Sequence, residues 1–99
     1  MTNETLEMLH CAAVRFLAEA IEAYDRDRKD IVTFRVKRVQ AIIGEIRALP
    51  TAPCPELDQQ LDAIYVFIIG QLDIALAAET VAPIDVCRNI LDDLHGAYQ

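Results

Sequence analysis

The stretch IYVFIIG, residues 64–70, places six large nonpolar residues and a glycine in a row, inside a chain whose formal net charge is -7. A helix that crosses a membrane needs roughly 20 nonpolar residues, and Asp62 and Asp73 closely flank this short run. We therefore predict that the stretch does not cross a bilayer. Three explanations remain: a buried strand, a helix at the centre of a core, or a helix with one core face and one partner face.

The helical period continues straight through this stretch. Nonpolar residues on both sides of it share one face of a helix at about 100° per residue. Pro55 comes just before them, at a position where the first turn of a helix tolerates proline. The pattern favours a helix over a strand. The residues that share the face are Leu57, Leu61, Ile64, Tyr65, Ile68, Leu72, Ala75 and Leu76.

Three segments rich in helix breakers or charge divide the chain: YDRDRKD at residues 24–30, PTAPCP at 50–55 and ETVAP at 79–83. Nonpolar residues recur at helical spacing between them, which predicts helices over about residues 4–26, 30–49, 56–79 and 83–98. Four helices with short connections predict an all-α fold, an antiparallel up-down-up-down four-helix bundle that forms a single domain over residues 1–99. The inward stripe predicted for the fourth helix is Val86, Ile90, Leu91, Leu94 and Tyr98.

Composition narrows the classes of function. Sixteen acidic residues against nine basic ones disfavour nucleic acid as a partner, because each contact with a phosphate needs a cation. Cys11, Cys54 and Cys87 are odd in number and form no CxxC motif, so we expect free thiols in a reducing compartment, with Cys11 a small packing residue. The first ten residues lack the pattern of a secretory signal, and we expect a cytoplasmic protein.

Two spacings resemble pairs of metal ligands: Glu7-x-x-His10 on the first helix and Asp92-x-x-His95 on the last. Metal-binding bundles project such ligands inward, whereas Glu7 and Asp92 lie about 120° from the centres of their nonpolar arcs. We interpret these residues as solvated polar edges. The chain has no serine, and His10 diverges from its neighbour Cys11 by about 100° on a helix. We therefore predict no catalytic residues, no metal, no cofactor and no enzymatic activity.

A second nonpolar stripe runs along the third helix. Its members lie between about 200° and 320° from Ile64, whereas the core stripe centres near about 60°. Gly70 belongs to the second stripe and costs roughly 1 kcal/mol of helix propensity relative to alanine, which indicates a close neighbour at that point. With Phe34 of the second helix added, the predicted partner-binding residues are Ala63, Val66, Phe67, Gly70, Ile74 and Ala77.

Three explanations of the second stripe stay open. The third helix is the most buried of the four and enclosed by its own neighbours, or the stripe is the seam of a homodimer. Alternatively, the stripe forms a groove that receives the amphipathic helix of another protein. A contiguous exposed nonpolar patch above a few hundred Å² marks a contact site.

Four segments carry a family resemblance: MLHCAAVRFLAEA at residues 8–20, AIIGEI at 41–46, LDAIYVFIIGQLDIAL at 61–76 and IDVCRNILDDLHGAY at 84–98. Their order and spacing resemble the FliS family of flagellin-export chaperones, with its patterns MLYDGAIRFL, LYDFIxxRLxxAN and LLEELRxAW. By this resemblance, Phe16 and Leu17 match the core of the first helix, Tyr65 and Phe67 match the aromatic residues of the third, and Tyr98 matches the terminal aromatic residue.

The resemblance implies a cytoplasmic four-helix bundle that binds the C-terminal segment of flagellin, an amphipathic helix. Such a chaperone prevents premature polymerisation of flagellin and presents it to a component of the type III export gate. The alternative is a structural or regulatory module that forms a homodimer, or acts as a co-chaperone, through the exposed face of the third helix. Neither hypothesis involves nucleic acid or insertion into a membrane.

The sequence also departs from the family pattern. His10, Cys11 and Ala12 replace the Tyr-Asp-Gly of the first helix, and Val66 stands where the family usually has aspartate. Gly70 and the glutamine after it replace a basic pair. Only a few residues precede the first predicted helix, so the family's longer N-terminal arm is expected to be absent. The changes on the third helix make its outer face more nonpolar than the family pattern.

Overall fold

The computed structural model describes residues 3–49 and 55–97, and these form four α-helices. The helices are α1 (Asn3–Asp25), α2 (Lys29–Arg47), α3 (Pro55–Ala78) and α4 (Ala82–Ala97). Their ends differ from the predicted ends by one or two residues, the usual uncertainty where a helix frays. The predicted terminal aromatic residue, Tyr98, and the thiol of Cys54 lie outside the described residues. The predicted all-α class is confirmed.

The helices pack in the order of the chain around a common core. Helix α1 packs against α2 and α4, and α3 packs against the same two helices, so α1 and α3 lie on a diagonal. Consecutive helices run in opposite directions. This arrangement is the antiparallel up-down-up-down bundle that the sequence predicts, with consecutive helices as neighbours.

Two hydrogen bonds fix how α1 and α3 lie relative to each other. One joins His10 Nε2 to the Tyr65 hydroxyl at 3.1 Å, in the core. In the other, the Tyr24 hydroxyl donates to the carbonyl oxygen of Glu79 at 2.8 Å. Both pairs are 55 residues apart in the sequence. The two helices therefore run parallel in one constant register across the diagonal of the bundle.

The turns after α1 and α3 close in the same way. Asp27 and Glu79, which follow these helices, both have positive φ, at 57° and 53°. The N–H of Arg28 donates to the carbonyl of Ala23 at 2.9 Å, and the N–H of Thr80 makes the corresponding bond to the carbonyl five residues earlier. Each is the long hydrogen bond of a Schellman cap, which satisfies a carbonyl that the helix itself leaves unpaired.

Side chains hold these two turns together at one end of the bundle. Lys29 Nζ, in the first turn of α2, lies 2.8 Å from Glu79 Oε1, beyond the end of α3. The hydrogen bond between them lowers the pKa of the Glu79 carboxyl and raises that of the Lys29 ammonium. Because the Tyr24 hydroxyl also binds the carbonyl of Glu79, three helices meet at this single residue.

The core consists of one stripe from each helix, and α3 contributes few side chains to it. Although α3 is the most nonpolar helix, Tyr65, Ile68, Leu72 and Ala75 are its only buried residues among those described. The sequence also placed Leu57 in this stripe, but the structure leaves it partly exposed near the start of the helix. The other buried hydrophobic residues are Leu6, Ala13, Leu17, Ala20, Ala23, Val32, Val36, Val39, Ile42, Ile43, Ile46, Ile84, Cys87 and Leu91.

Two sequence predictions about α4 and α1 are wrong in detail. Val86 is 45% exposed, and Ile84 and Cys87 occupy the core positions instead, because α4 is rotated relative to the predicted stripe. His10 was predicted at a solvated edge, but it is fully buried in the core. Its imidazole forms a hydrogen bond with the Tyr65 hydroxyl there. The first helix therefore buries a polar side chain whose Nε2 forms a hydrogen bond with a distant helix.

We expect Tyr65→Phe to lower the free energy of unfolding by about 1–3 kcal/mol, because it removes a hydrogen bond from a buried imidazole. Chemical denaturation followed by circular dichroism measures the change. Tyr24→Phe is the matched control, since it removes the same atom from an exposed bond that water can replace. It should lower the free energy of unfolding by less than about 1 kcal/mol. Equal losses in the two variants would contradict the role given to the buried pair.

The two described thiols should differ in reactivity. Burial raises the pKa of the Cys87 thiol from 9.0 to about 12, and its sulfur lies 3.6 Å from the carbonyl oxygen of Ile68, whereas Cys11 is exposed. In a Cys54→Ala variant at neutral pH, a thiol reagent should label one site quickly and the second only in denaturant. Adding Cys11→Ala should remove the fast phase. Fast labelling of both sites in the folded protein would contradict this burial.

The same thiol predicts a dependence of stability on pH. Folded Cys87 keeps its proton at pH values where the unfolded chain has lost it, so the folded state binds more protons there. The contribution of Cys87 to the free energy of unfolding should therefore be intact below pH 9.0 and decline as the pH rises to about 12. Cys87→Ala should flatten the decline in denaturation curves over that range. An unchanged slope would contradict the assignment.

Candidate functional site

The outward side of α3 carries a continuous row of exposed nonpolar residues. Val66, Phe67 and Ile74 are 47%, 49% and 50% exposed, and the small members of the row are also exposed. The row lies opposite the buried stripe of the same helix. We call it the outer row, and it consists of Ala63, Val66, Phe67, Gly70, Ile74 and Ala77.

The spacing of the outer row matches what a second helix needs. From Ala63 to Ala77 its members, apart from Val66, follow one another at alternating steps of four and three residues. This is the spacing by which one helix packs along another in a coiled coil. At about 1.5 Å per residue the row extends for roughly 20 Å along α3. A partner helix of a few turns can therefore lie along its whole length.

The structure rules out one of the three explanations of this row. If neighbouring helices enclosed α3, the outer row would be buried in the single chain, but each of its members is exposed. Helices α2 and α4 instead flank α3 and leave its outward side open. A homodimer seam and a groove for another protein both remain consistent with the exposure.

Gly70 lies in the middle of the outer row, beside open space. A Cβ atom added there would meet no side chain, and no backbone outside its own helix turn, within 4 Å. The close neighbour expected from the sequence is therefore not part of the described chain. Gly44 on α2 is equally open, so Gly44 provides a matched position for experiments.

Polar side chains border the outer row on the side of α2. Arg47 donates two hydrogen bonds to the Asp62 carboxylate, at 2.6 and 3.2 Å, and these lower the pKa of Asp62. Further along α3, the Asp73 carboxylate and the carbonyl of Ile69 accept hydrogen bonds from the Gln40 side chain of α2, at 2.8 and 3.1 Å. These bonds hold α2 and α3 together and leave the outer row as the nonpolar part of the α3 surface.

Phe34 does not belong to the outer row, although the sequence grouped it with that row. Phe34 is 65% exposed on α2, and the guanidinium of Arg35 lies over its ring at 5.6 Å. The same guanidinium lies 5.0 Å from the ring centre of Phe16, on α1. Phe34 thus lies toward the boundary between α1 and α2. The helical period of α2 alone cannot show which neighbouring helix an outward residue approaches.

The residues considered for chemistry do not come together. His10 is buried while Glu7 is half-exposed and Asp92 is exposed, and the side chain of His95 lies outside the described residues. Within residues 3–49 and 55–97, no group of three or more metal-ligating side chains is close enough to hold a metal ion. Cys11 was predicted as a packing residue, but it faces solvent on α1.

Helix α3 is also long and nonpolar enough to cross a membrane, by length and composition only. The segment Glu56–Ala78 has a mean hydropathy of 1.7, and 22% of its most nonpolar stretch of 18 residues is buried in the bundle. The core helix of a soluble protein passes the same test. The hydropathy of α3 comes from its core stripe together with the outer row, and Asp62 within this segment forms a hydrogen-bonded ion pair with Arg47 of α2.

Comparison with known proteins identifies the family. A family model described as "Flagellar protein FliS" matches residues 2–99, which is essentially the whole chain. No curated protein matches the sequence. The resemblance noted in the helical segments is confirmed, together with the four-helix architecture. The chain belongs to the FliS family of flagellar proteins.

Proposed function

We propose that this chain binds the C-terminal helical segment of flagellin along the outer row of α3, and so prevents premature polymerisation before type III export. Membership of the FliS family implies a flagellar export chaperone in general, and members of the family are chaperones and not enzymes. On this proposal the protein acts in the cytoplasm, where flagellin is held before export. A component of the export gate is a further partner of the complex.

The exposure of the outer row is the observation that carries the proposal. Val66, Phe67 and Ile74 are each about half-exposed, so a partner that covers them completes their burial. Completing the burial of a large nonpolar side chain from this starting point is favourable by about 1 kcal/mol. An amphipathic helix with its own nonpolar stripe fits a row with this spacing.

The same contact accounts for the effect on polymerisation. A helical segment that polymerises does so through its nonpolar face, and that face is the one the outer row would cover. Small residues at Ala63, Gly70 and Ala77 let the partner's backbone approach α3, while Phe67 and Ile74 fill the spaces between its side chains. The segment would therefore be held as a helix and kept from other flagellin subunits.

Phe67→Asp should weaken binding of the flagellin C-terminal segment by at least about tenfold, because it places a charge in the middle of the nonpolar contact. Isothermal titration calorimetry with the purified segment measures the affinity. The fold should survive, since Phe67 is half-exposed, and circular dichroism checks this.

Phe34→Asp is the matched control for Phe67→Asp. It makes the same chemical change at an exposed phenylalanine on another face, and it should leave the affinity for the flagellin segment unchanged. Unchanged binding by Phe67→Asp would reject the outer row as the site. Size-exclusion chromatography with light scattering tests the alternative hypothesis. A stable dimer that does not bind flagellin would favour a homodimerising module.

Gly70→Ala should have opposite effects on stability and binding. Alanine raises helix propensity by about 0.5–1 kcal/mol in the free protein, and the added methyl group meets open space there. In the complex the same methyl group would hold the partner's backbone away, and we expect affinity to fall about fivefold. Thermal denaturation and calorimetry measure the two effects.

Gly44→Ala provides the comparison for Gly70→Ala. Gly44 lies in a helix and beside open space in the same way, so the substitution should raise stability to a similar extent. It should not change the affinity for the flagellin segment. A Gly70→Ala variant that binds as tightly as Gly44→Ala would contradict a close approach of the partner's backbone at Gly70.

A further inference from the structure

A second exposed surface lies at the boundary of α1 and α2. The guanidinium of Arg35 lies over two aromatic rings, 5.0 Å from the centre of Phe16 and 5.6 Å from that of Phe34. From α1, the guanidinium of Arg15 also lies over the ring of Phe16, 5.1 Å from its centre. Arg38 follows Phe34 by four residues and therefore lies beside it on the same face of α2. We call these five residues the basic–aromatic face.

The arginines of this face keep hydrogen-bonding capacity. Stacking on a ring uses the flat surface of a guanidinium and leaves its N–H groups at the edge. Arg35 lies 3.6 Å from the Glu19 carboxylate, which is an ion pair but too long for a good hydrogen bond. Neither Arg15 nor Arg38 forms an ion pair with any described residue.

The charge of the face is opposite to that of the chain. Arg15, Arg35 and Arg38 lie here together with Lys37, which follows Phe34 by three residues. The carboxylates beside them include that of Glu19, near Arg35, and that of Asp30, which precedes Phe34 by four residues and pairs with Arg28. The formal net charge of the whole chain is -7. An anionic partner is therefore repelled by the protein as a whole and attracted at this place. The exposed ring of Phe34 adds a nonpolar contact next to the cations.

We infer that the basic–aromatic face docks an acidic amphipathic helix of another protein. A nonpolar side chain of that helix covers the exposed ring of Phe34, and its carboxylates accept hydrogen bonds from the edges of the arginines. A second copy of this chain is disfavoured on the same face, because a symmetric contact would bring the arginines of both copies together. A short row of three arginines on an acidic protein also falls short of what nucleic acid requires.

This partner differs from the one proposed for α3 in both position and chemistry. The outer row is nonpolar and lies on α3, which is diagonal to α1, whereas the basic–aromatic face lies between α1 and α2. The two surfaces share no residue. One chain can therefore hold a helix on each surface at the same time, and the second inference does not depend on flagellin occupying the first.

The test uses two labelled helical peptides of about 20 residues with the same leucine stripe. One carries glutamates beside the stripe and the other carries lysines. Fluorescence anisotropy should show that the glutamate peptide binds at least about tenfold more tightly, and that salt weakens this binding. The net charge of the protein alone favours the lysine peptide, so a preference for that peptide would overturn the inference.

Two arginines on different helices provide matched variants. Arg38→Glu and Arg88→Glu make the same change in net charge, but Arg88 lies on α4, which is diagonal to α2 in the bundle. Arg38→Glu should weaken binding of the glutamate peptide by at least about tenfold, and Arg88→Glu by less than about threefold. Equal losses in both variants would show an effect of net charge only and would overturn the docking site.

Two further variants separate this face from the outer row. Phe34→Ser should weaken binding of the glutamate peptide, whereas Phe67→Asp should leave it unchanged. Loss of binding in Phe67→Asp would mean that the peptide occupies α3, and the inference would fail. Arg38→Glu should leave the affinity for the flagellin segment unchanged. The experiments therefore distinguish failure of the proposed flagellin site from failure of the proposed basic–aromatic docking site.

Discussion

Each helix of a four-helix bundle can turn only one stripe of side chains toward the core, and α3 carries two nonpolar stripes. The core takes the stripe of Tyr65, Ile68 and Leu72, and the outer row stays in water. Burying both would require a fifth element beside α3, and the described chain provides none. The surface available to a partner is thus a direct consequence of how much nonpolar surface the bundle can enclose.

The register of the helices decides where that surface lies. The buried pair of His10 and Tyr65 and the pair of Tyr24 and Glu79 hold α1 and α3 parallel at one constant offset. Hydrogen bonds from Arg47 and Gln40 then fix α2 along one side of α3. Since polar groups in a core must be paired, a rotation of α3 that moved Tyr65 would leave a buried imidazole without this bond.

The protein separates its two kinds of exposed surface onto different helices. Phe67 and Ile74 lie in a nonpolar row, and the cation that borders it, Arg47, is paired with Asp62, whereas Phe34 lies under the guanidinium of Arg35. A nonpolar row favours a partner by burial, and a cationic face favours one by charge, so the two surfaces discriminate among partners by different forces. On the two proposals made above, one four-helix bundle contacts its client and a second protein together.

The helical period and the breaker segments were enough to predict four helices and their order, because each signal is local to a few turns of chain, and the resemblance of four segments to family patterns predicted the family. The same period separated the two stripes of α3, since 100° steps place Phe67 and Tyr65 on different sides. It could not show that the second stripe stays exposed, that Phe34 lies toward the boundary of α1 and α2, or that Cys87 and not Val86 is buried in the core. These depend on the rotation of each helix against its neighbours. The bond between His10 and Tyr65 joins residues 55 apart, and only the packed bundle brings them together.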